Sequence, residues 1–286
     1  MGSSKLPGGS SNDRYLTNSV ANRRTNPLVN FVANCQKVTA HPIDLQPGDR
    51  IAFIPVGNTG YNVSVTSGAT LLDPGTTKLK VGGDGSVYLS YPGFSFPVPG
   101  LPDPISTLII DENGVLTART SPDFTGIDDN GSPWYTKGQL LLSNRFTIAA
   151  LMKDLDSTAA ATGGGVFGYF DAANSRVIVT YNGMPATGTT QPNTLQVVIY
   201  DSGKIEMTVG ALAATGAIYS PNILGTVGIA SGQTKASDLR KVKPISFSEL
   251  RNSAPVFVPF GRDGAIYEQF YLSTGASCNN DDDAGD

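Results

Sequence analysis

Short runs of β-prone residues, cut at close intervals by Gly, Pro, Asn and Asp, recur along this chain and leave little room for helices. In the first third, Arg50-Ile-Ala-Phe-Ile-Pro-Val56, Tyr61-Asn-Val-Ser-Val-Thr66, Ala69-Thr-Leu-Leu-Asp73, Lys78-Leu-Lys-Val81 and Ser86-Val-Tyr-Leu-Ser-Tyr91 follow one another. Tyr61, Val63 and Val65 alternate with Asn62, Ser64 and Thr66, the two-residue period of a half-buried strand. Later runs are Ser106-Thr-Leu-Ile-Ile110, Val115-Leu-Thr-Ala118, Arg145-Phe-Thr-Ile-Ala-Ala-Leu151, Gly165-Val-Phe-Gly-Tyr-Phe170 and Arg176-Val-Ile-Val-Thr-Tyr181. Thr194-Leu-Gln-Val-Val-Ile-Tyr200, Lys204-Ile-Glu-Met-Thr-Val209 and Gly225-Thr-Val-Gly-Ile-Ala230 complete the series. Such spacing, with turn signals between, is that of a sandwich or barrel. The 286 residues include 33 Gly and 19 Pro, which supply the turns. Only 15% are charged, where an ordinary domain carries about 25%. A coiled coil, a long-helix bundle and a disordered polyelectrolyte are thereby excluded.

Turn chemistry adds detail. Asp111-Glu-Asn-Gly114 carries the Asn-Gly pair of a type I′ hairpin turn, and Asp201-Ser-Gly203 predicts a second tight turn. Pro92, Pro97, Pro99, Pro102 and Pro104 cannot occupy a central strand, because each removes a ladder donor, so this stretch reads as a linker or an irregular edge. Pro255-Val-Phe-Val-Pro-Phe260 and Ala265-Ile-Tyr-Glu-Gln-Phe-Tyr-Leu272 are expected to form a final hairpin around Gly261–Gly264. Short helices are expected only at Ser237–Val242 or Ser246–Arg251, the latter with Ser246 and Glu249 at capping-box spacing. Alternation points Val177, Val179, Leu195, Val197, Ile199, Ile205, Met207, Val227 and Ile229 into the core. The same alternation turns Arg176, Gln196, Lys204 and Glu206 to solvent.

The net charge of −4 resides in the tail, where Asp281, Asp282, Asp283 and Asp286 lie within the last six residues. The first fifty residues hold six bases (Lys5, Arg14, Arg23, Arg24, Lys37, Arg50) against three acids (Asp13, Asp44, Asp49). A basic arm and an acidic tip suit head-to-tail contacts between subunits; solvated ends are the plainer reading. Bases are too few and scattered for nucleic acid, Arg23-Arg24 apart. No run reaches the roughly 18 apolar residues of a membrane span, and the N-terminus has no apolar signal-peptide core. Cys35 and Cys278 read as two free thiols, or as one arm-to-tail or intersubunit disulfide.

Candidate chemistry is sparse. His41, the single histidine, stands six residues after Cys35 in a loop-like stretch, where no third group would orient a Cys–His pair. Asp154 and Asp156 would share a strand face, which suits an exposed pair better than the two carboxylates of a glycosidase. Asp128 and Asp129, and Asp281, Asp282 and Asp283, are the candidate calcium ligands, although neither group follows the alternating calcium-loop pattern. Gly163-Gly-Gly165 lacks the residues of a phosphate loop. Asn62-Val-Ser64 is a glycosylation sequon if the chain takes a secretory route. No catalytic residue and no cofactor other than calcium is expected.

From residue 93 to 231 the order of pieces resembles the nidogen-like extracellular β-sandwich module. The matching pieces are Phe94-Ser-Phe-Pro-Val-Pro-Gly100, Leu108-Ile-Ile-Asp-Glu-Asn-Gly-Val-Leu-Thr117 and Phe146-Thr-Ile-Ala-Ala-Leu-Met-Lys-Asp-Leu155. They continue with Val166–Phe170, Arg176–Tyr181, Leu195-Gln-Val-Val-Ile-Tyr-Asp-Ser-Gly-Lys-Ile-Glu206 and Thr226-Val-Gly-Ile229. Met152 stands at the module's usual Trp, Lys153 at one of its acidic positions, and Thr208 and Gly210 at its last aromatics. The resemblance implies a structural or adhesive role without catalysis.

The expected fold is therefore an all-β, antiparallel β-sandwich, jelly-roll-like or nidogen-like. Its parts are an extended arm (1–48), a small β subdomain (49–92), the sandwich (93–232) and a C-terminal segment with an acidic tail (233–286). The expected function is a non-enzymatic structural, assembly or adhesion protein of an extracellular surface, filament or particle, self-associating or bound to neighbouring structural proteins. The alternatives are a virion component (capsid decoration, knob or tail protein) and a carbohydrate-binding module with a surface glycan as ligand, for which Trp134 and Tyr135 are the obvious stacking pair.

Overall fold

The computed structural model describes residues 41–82, 85–118, 145–213, 224–233, 242 and 244–271. The chain divides into two units, Met1–Gln36 and Lys37–Asp286, and the described residues belong to the second. The predicted arm, apart from residues 41–48, lies outside them.

Among the described residues fourteen strands follow in order: β1 (His41–Pro42), β2 (Arg50–Val56), β3 (Gly60–Thr66), β4 (Ser86–Ser90), β5 (Thr107–Asp111), β6 (Val115–Ala118) and β7 (Thr147–Met152). They continue as β8 (Gly165–Asp171), β9 (Arg176–Pro185), β10 (Pro192–Tyr200), β11 (Ile205–Ala211), β12 (Leu224–Ala230), β13 (Val256–Pro259) and β14 (Ala265–Tyr271). Two seven-stranded sheets result, the first ordered β1-β14-β12-β7-β6-β5-β4 and the second β13-β3-β2-β11-β10-β9-β8. All pairs are antiparallel except β1 with β14. The all-β sandwich expected from the sequence is what forms. Each sheet contains one four-strand meander, β4 to β7 or β8 to β11. Residues 49–92, 93–232 and 233–286 each give strands to both sheets.

Several local expectations are corrected. The 111–115 turn is not type I′: Asp111 pairs with Val115, so three residues form the loop, and only Gly114 has a positive φ, +77°. A left-handed glycine closing a three-residue loop fits the strand twist equally well. The 201–203 turn repeats this, with Tyr200 N–H donating to the Lys204 carbonyl at 2.9 Å. Residues 69–73 form no strand, and Lys78 makes a single bridge to Phe167. The 69–73 backbone is not left unpaired, because the Gln196 amide takes the place of a neighbouring strand. Leu72 N–H donates to Gln196 Oε1 at 2.8 Å, and Gln196 Nε2 donates to the Leu72 carbonyl at 2.9 Å. Gln196, expected in solvent, is accordingly 1% exposed, and Glu206 is buried with it.

The proline-rich stretch is no linker. Phe96 and Ile105 exchange two hydrogen bonds (3.0 and 2.9 Å), and Phe94, Phe96, Val98 and Ile105 are buried. The expected final hairpin does not form either. β13 joins β3 in the second sheet and β14 joins β12 in the first, so the turn at Gly261–Gly264 carries the chain across the sandwich. Of the helix at Ser246, one 3-10 turn is present, Ser248–Leu250. Ser246 Oγ accepts from Glu249 N–H at 3.3 Å while the Glu249 side chain is exposed, so half of the capping box is made.

The predicted inward residues from Val177 to Ile229 are all buried. Through the core runs a continuous line of aromatic contacts: Phe247, Phe53, Tyr61, Phe260, Phe146, Phe96, Phe94, Phe170 and Tyr91, with ring centroids 5.1–6.3 Å apart. Across the sandwich, the buried Tyr181 hydroxyl of β9 donates to the Asp111 and Val115 carbonyls at 3.0 and 3.1 Å. At the start of β2, Arg251 Nε and Nη2 clasp the buried Asp49 carboxylate at 3.0 and 2.6 Å, and Nη2 also reaches the Asp44 carbonyl. The Asp49 hydrogen bond raises the Arg251 pKa further above its ordinary value.

Two substitutions test this packing. Ile199→Ala leaves a cavity between the sheets and should cost about 2–5 kcal/mol, read as a lower urea midpoint. The Tyr61 hydroxyl is buried without a hydrogen bond among the described residues. Tyr61→Phe removes that unsatisfied group and should hold or raise the melting temperature. A clear loss on Tyr61→Phe would mean that the hydroxyl has a partner.

Candidate functional site

The outer face of the second sheet is where exposed apolar and charged side chains come together. Strand alternation sends Ile51 and Phe53 inward and Ile54 and Val56 outward. Over one half of this face lies the 69–79 segment. Besides the Leu72–Gln196 bonds, a Cβ placed at Gly75 would meet the Tyr169 side chain, and one at Gly210 would meet Leu71. Thr180 Oγ1 accepts a third hydrogen bond from Gln196, at 2.9 Å. Over the other half no segment among the described residues is laid, and Ile54, Val56 and Phe257 are exposed there.

Across this open half, one row of cross-strand neighbours spans the whole sheet. Phe257 pairs with Asn62 and Asn62 with Ile54. Ile205 pairs with Phe53, which sets Lys204 beside Ile54. Tyr200 then pairs with Arg176, and Arg176 with Asp171. Seven strands at about 4.8 Å make a row roughly 29 Å long. Its two ends differ in chemistry.

At the β13–β3–β2 end the row is apolar and exposed. Phe257 is 46% and Ile54 42% exposed, with Val56 on the same face. Gly60 is required here, since a Cβ on it would lie 2.3 Å from the Val258 carbonyl oxygen and 3.0 Å from the Phe257 ring, which covers it. At the β11–β8 end the row is ionic. Lys204 Nζ meets Glu206 Oε1 at 2.7 Å, the Tyr200 hydroxyl donates to Glu206 Oε2 at 3.0 Å, and Arg176 Nη1 donates to that hydroxyl at 3.4 Å. Arg176 Nε and Nη2 both lie 2.8 Å from Asp171 Oδ2, which also accepts from Asn174. Lys204 and Arg176 both lie over the Tyr200 ring, at 4.7 and 5.8 Å. The Asn174 amide, then the Arg176 guanidinium, holds the Asp171 carboxyl below its usual range.

A second polar group lies between the sheets' connecting loops. Lys153 and Glu112 are buried, Lys153 N–H donates to the Asn113 carbonyl at 3.1 Å, and Leu155 and Ser157 N–H donate to Asn113 Oδ1 and Glu112 Oε1. Burial pulls the Lys153 amine down to about 8, with Asp154 pulling the other way. The expected Asp154–Asp156 pair is not a matched strand-face pair, because β7 ends at Met152. Asp154 accepts from the Thr187 hydroxyl, and Asp156 accepts from the Thr158 hydroxyl, Thr158 N–H and Ala159 N–H. The hydrogen bond from the Thr158 hydroxyl lowers the Asp156 pKa. Each carboxylate thus serves its own turn.

The other residues singled out in the sequence fall elsewhere. His41 lies in β1, paired with Phe270, and not in a loop. Asp128, Asp129, Asp281, Asp282 and Asp283, with Cys35, Cys278, Trp134, Tyr135, Arg23 and Arg24, lie outside the described residues. Among the described residues no group of three or more His, Cys, Asp or Glu is placed to hold a metal, and no helix is long and apolar enough to cross a membrane. The row itself was missed. The one signal was apolar residues out of phase with the inward set, Ile54 after Phe53 and Phe257 between Val256 and Val258.

Lys153 predicts a pH dependence. An unfolded lysine titrates near 10.5 and the folded one near 8, so between those values the unfolded chain binds the extra proton. Stability should therefore rise as pH increases from about 8 to 10.5, and the rise should vanish in Lys153→Met. A urea midpoint with the same pH slope in parent and variant would show that the amine is not perturbed. Comparison with protein families, with curated proteins and with solved structures found no match to this chain.

Proposed function

We propose that this protein is a non-enzymatic structural subunit that assembles with copies of itself or with neighbouring structural proteins, on an extracellular surface, filament or virus particle. The observation that carries this reading is the open half of the second sheet. Large side chains exposed together on a rigid sheet, Phe257, Ile54 and Val56, are what a contact surface needs. Beside them Tyr200 and Arg176 are residue types enriched at the centre of interfaces. The ionic groups of the face already satisfy one another, so the site offers no unengaged acid–base pair for chemistry. The nidogen-like order of pieces over residues 93–231 supports the same structural or adhesive role.

Light scattering and negative-stain microscopy of the purified full chain should find ordered oligomers, filaments or particles whose population grows with concentration. A chain that stays monomeric, and whose melting temperature rises with an added glycan, would replace this reading with a carbohydrate-binding one.

A further inference from the structure

We infer that the apolar end of this open face is where a second copy of the chain docks, sheet face against sheet face, about a two-fold axis passing beside Asn62. The inference rests on the assembly reading above and adds to it the surface, the partner and the mode of contact.

The mode follows from the edges. Phe260 N–H donates to the Thr59 carbonyl at 3.0 Å, which sets the phase of the β13 ladder. Antiparallel alternation then turns the backbone groups of Val256 and Val258 toward β3, and those of residues 255, 257 and 259 outward. Residues 255 and 259 are prolines, so Phe257 supplies the one N–H donor on that edge. A strand cannot be added there with a full ladder. At the opposite edge, Leu79 N–H donates to the Val166 carbonyl at 2.8 Å and Gly168 N–H to Thr77 at 3.1 Å, so β8 is already covered. With both edges closed, a partner must approach the face.

The partner follows from charge. From Ala52 to Thr66 and from Asn252 to Gly261 the sequence has no Asp, Glu, Lys or Arg. Beyond this charge-free patch, Arg176 is matched by Asp171 and Lys204 by Glu206. The patch itself presents no charge to nucleic acid, to an anionic membrane or to a charged protein. A second copy has a patch of the same chemistry. Two-fold contact sets like residues near like, which suits Phe257 and Ile54 and would penalise ions. With the axis beside Asn62, the two ionic ends extend away on opposite flanks. Three strands of about 14 Å by about 20 Å give a footprint on the order of 300 Å². Counted on both copies it is roughly 600 Å², below the roughly 1,200 Å² of stable specific interfaces, so the contact is a weak, transient one and the dimer should dissociate on dilution.

The test uses the full chain. Sedimentation equilibrium should find a reversible dimer, and Phe257→Asp should weaken it tenfold or more. Tyr88→Asp, at a comparably exposed position on the first sheet, should leave it unchanged. With Cys35→Ser and Cys278→Ser as background, Asn62→Cys should form a covalent dimer under mild oxidation. Unchanged circular dichroism melting of each variant shows that folding is intact. Equal dimerisation in the parent and in Phe257→Asp, or no cross-link through Asn62→Cys, would overturn the inference. If filaments or particles persist in Phe257→Asp, this face is not the contact while the structural reading stands. A parent chain with neither dimer nor larger assembly removes both.

Discussion

The line of aromatic rings from Phe247 to Tyr91 is the contact on which the rest of the sandwich depends. Its members come from β2, β3 and β8, from the proline-rich stretch, and from segments next to β7, β13 and the 3-10 turn. No two neighbours in one sheet could assemble it. The centroid spacings and mostly edge-to-face angles are those of favourable aromatic pairs, which add to the area each ring buries. It also explains how five prolines are tolerated between residues 92 and 104. Phe94 and Phe96 anchor that loop between the sheets through side chains, so it needs only the one rung between Phe96 and Ile105.

A second constraint divides the outer face of the second sheet. A seven-stranded sheet has one face on the core and the other free, and here half of the free face is closed by a segment that forms no strand. Gln196 makes this possible, because its amide offers a donor and an acceptor in the geometry of a neighbouring backbone. Thr180 completes the set. The cost of burying an amide is thus offset by three hydrogen bonds. Where Gln196 and its neighbours end, the cover ends, and Phe257, Ile54 and Val56 are left exposed.

What could be read in the sequence was what depends on neighbours two residues away. Alternation over residues 61–66 separated buried from outward residues, and over 176–181 and 195–200 the residues it sent inward are buried, because a strand's two faces differ wherever one is packed. The faults arise where distant residues decide. Gln196 looked solvent-facing because nothing local reports that residues 69–79 lie over it, and Glu206 because alternation does not report that the Lys204 amine and the Tyr200 hydroxyl bind its carboxylate. β13 and β14 looked like a hairpin because a Gly-rich turn has the same composition whether it joins neighbours in one sheet or crosses between two. The docking face was less legible still. Its residues lie up to about two hundred positions apart, and each alone is an unremarkable strand residue.

Exposed apolar side chains and closed edges belong together in this molecule. An aliphatic, uncharged strand end would ordinarily invite edge-to-edge pairing, which has no built-in limit because each added strand presents a new edge. Lysines are a common defence, yet a charge on β13 would also weaken the face beside it. Pro255 and Pro259 remove ladder donors without adding charge, and so block the edge while leaving Phe257 and Ile54 available. The opposite edge is protected by backbone pairing with residues 77–79, which again adds no charge to the open face. The ionic groups needed for solubility are kept at the far end of the row and tied to one another through Tyr200. Association through a face saturates when that face is covered, whereas association through an edge does not. The distribution of proline, charge and exposed hydrophobic surface therefore favours a limited contact over open-ended aggregation.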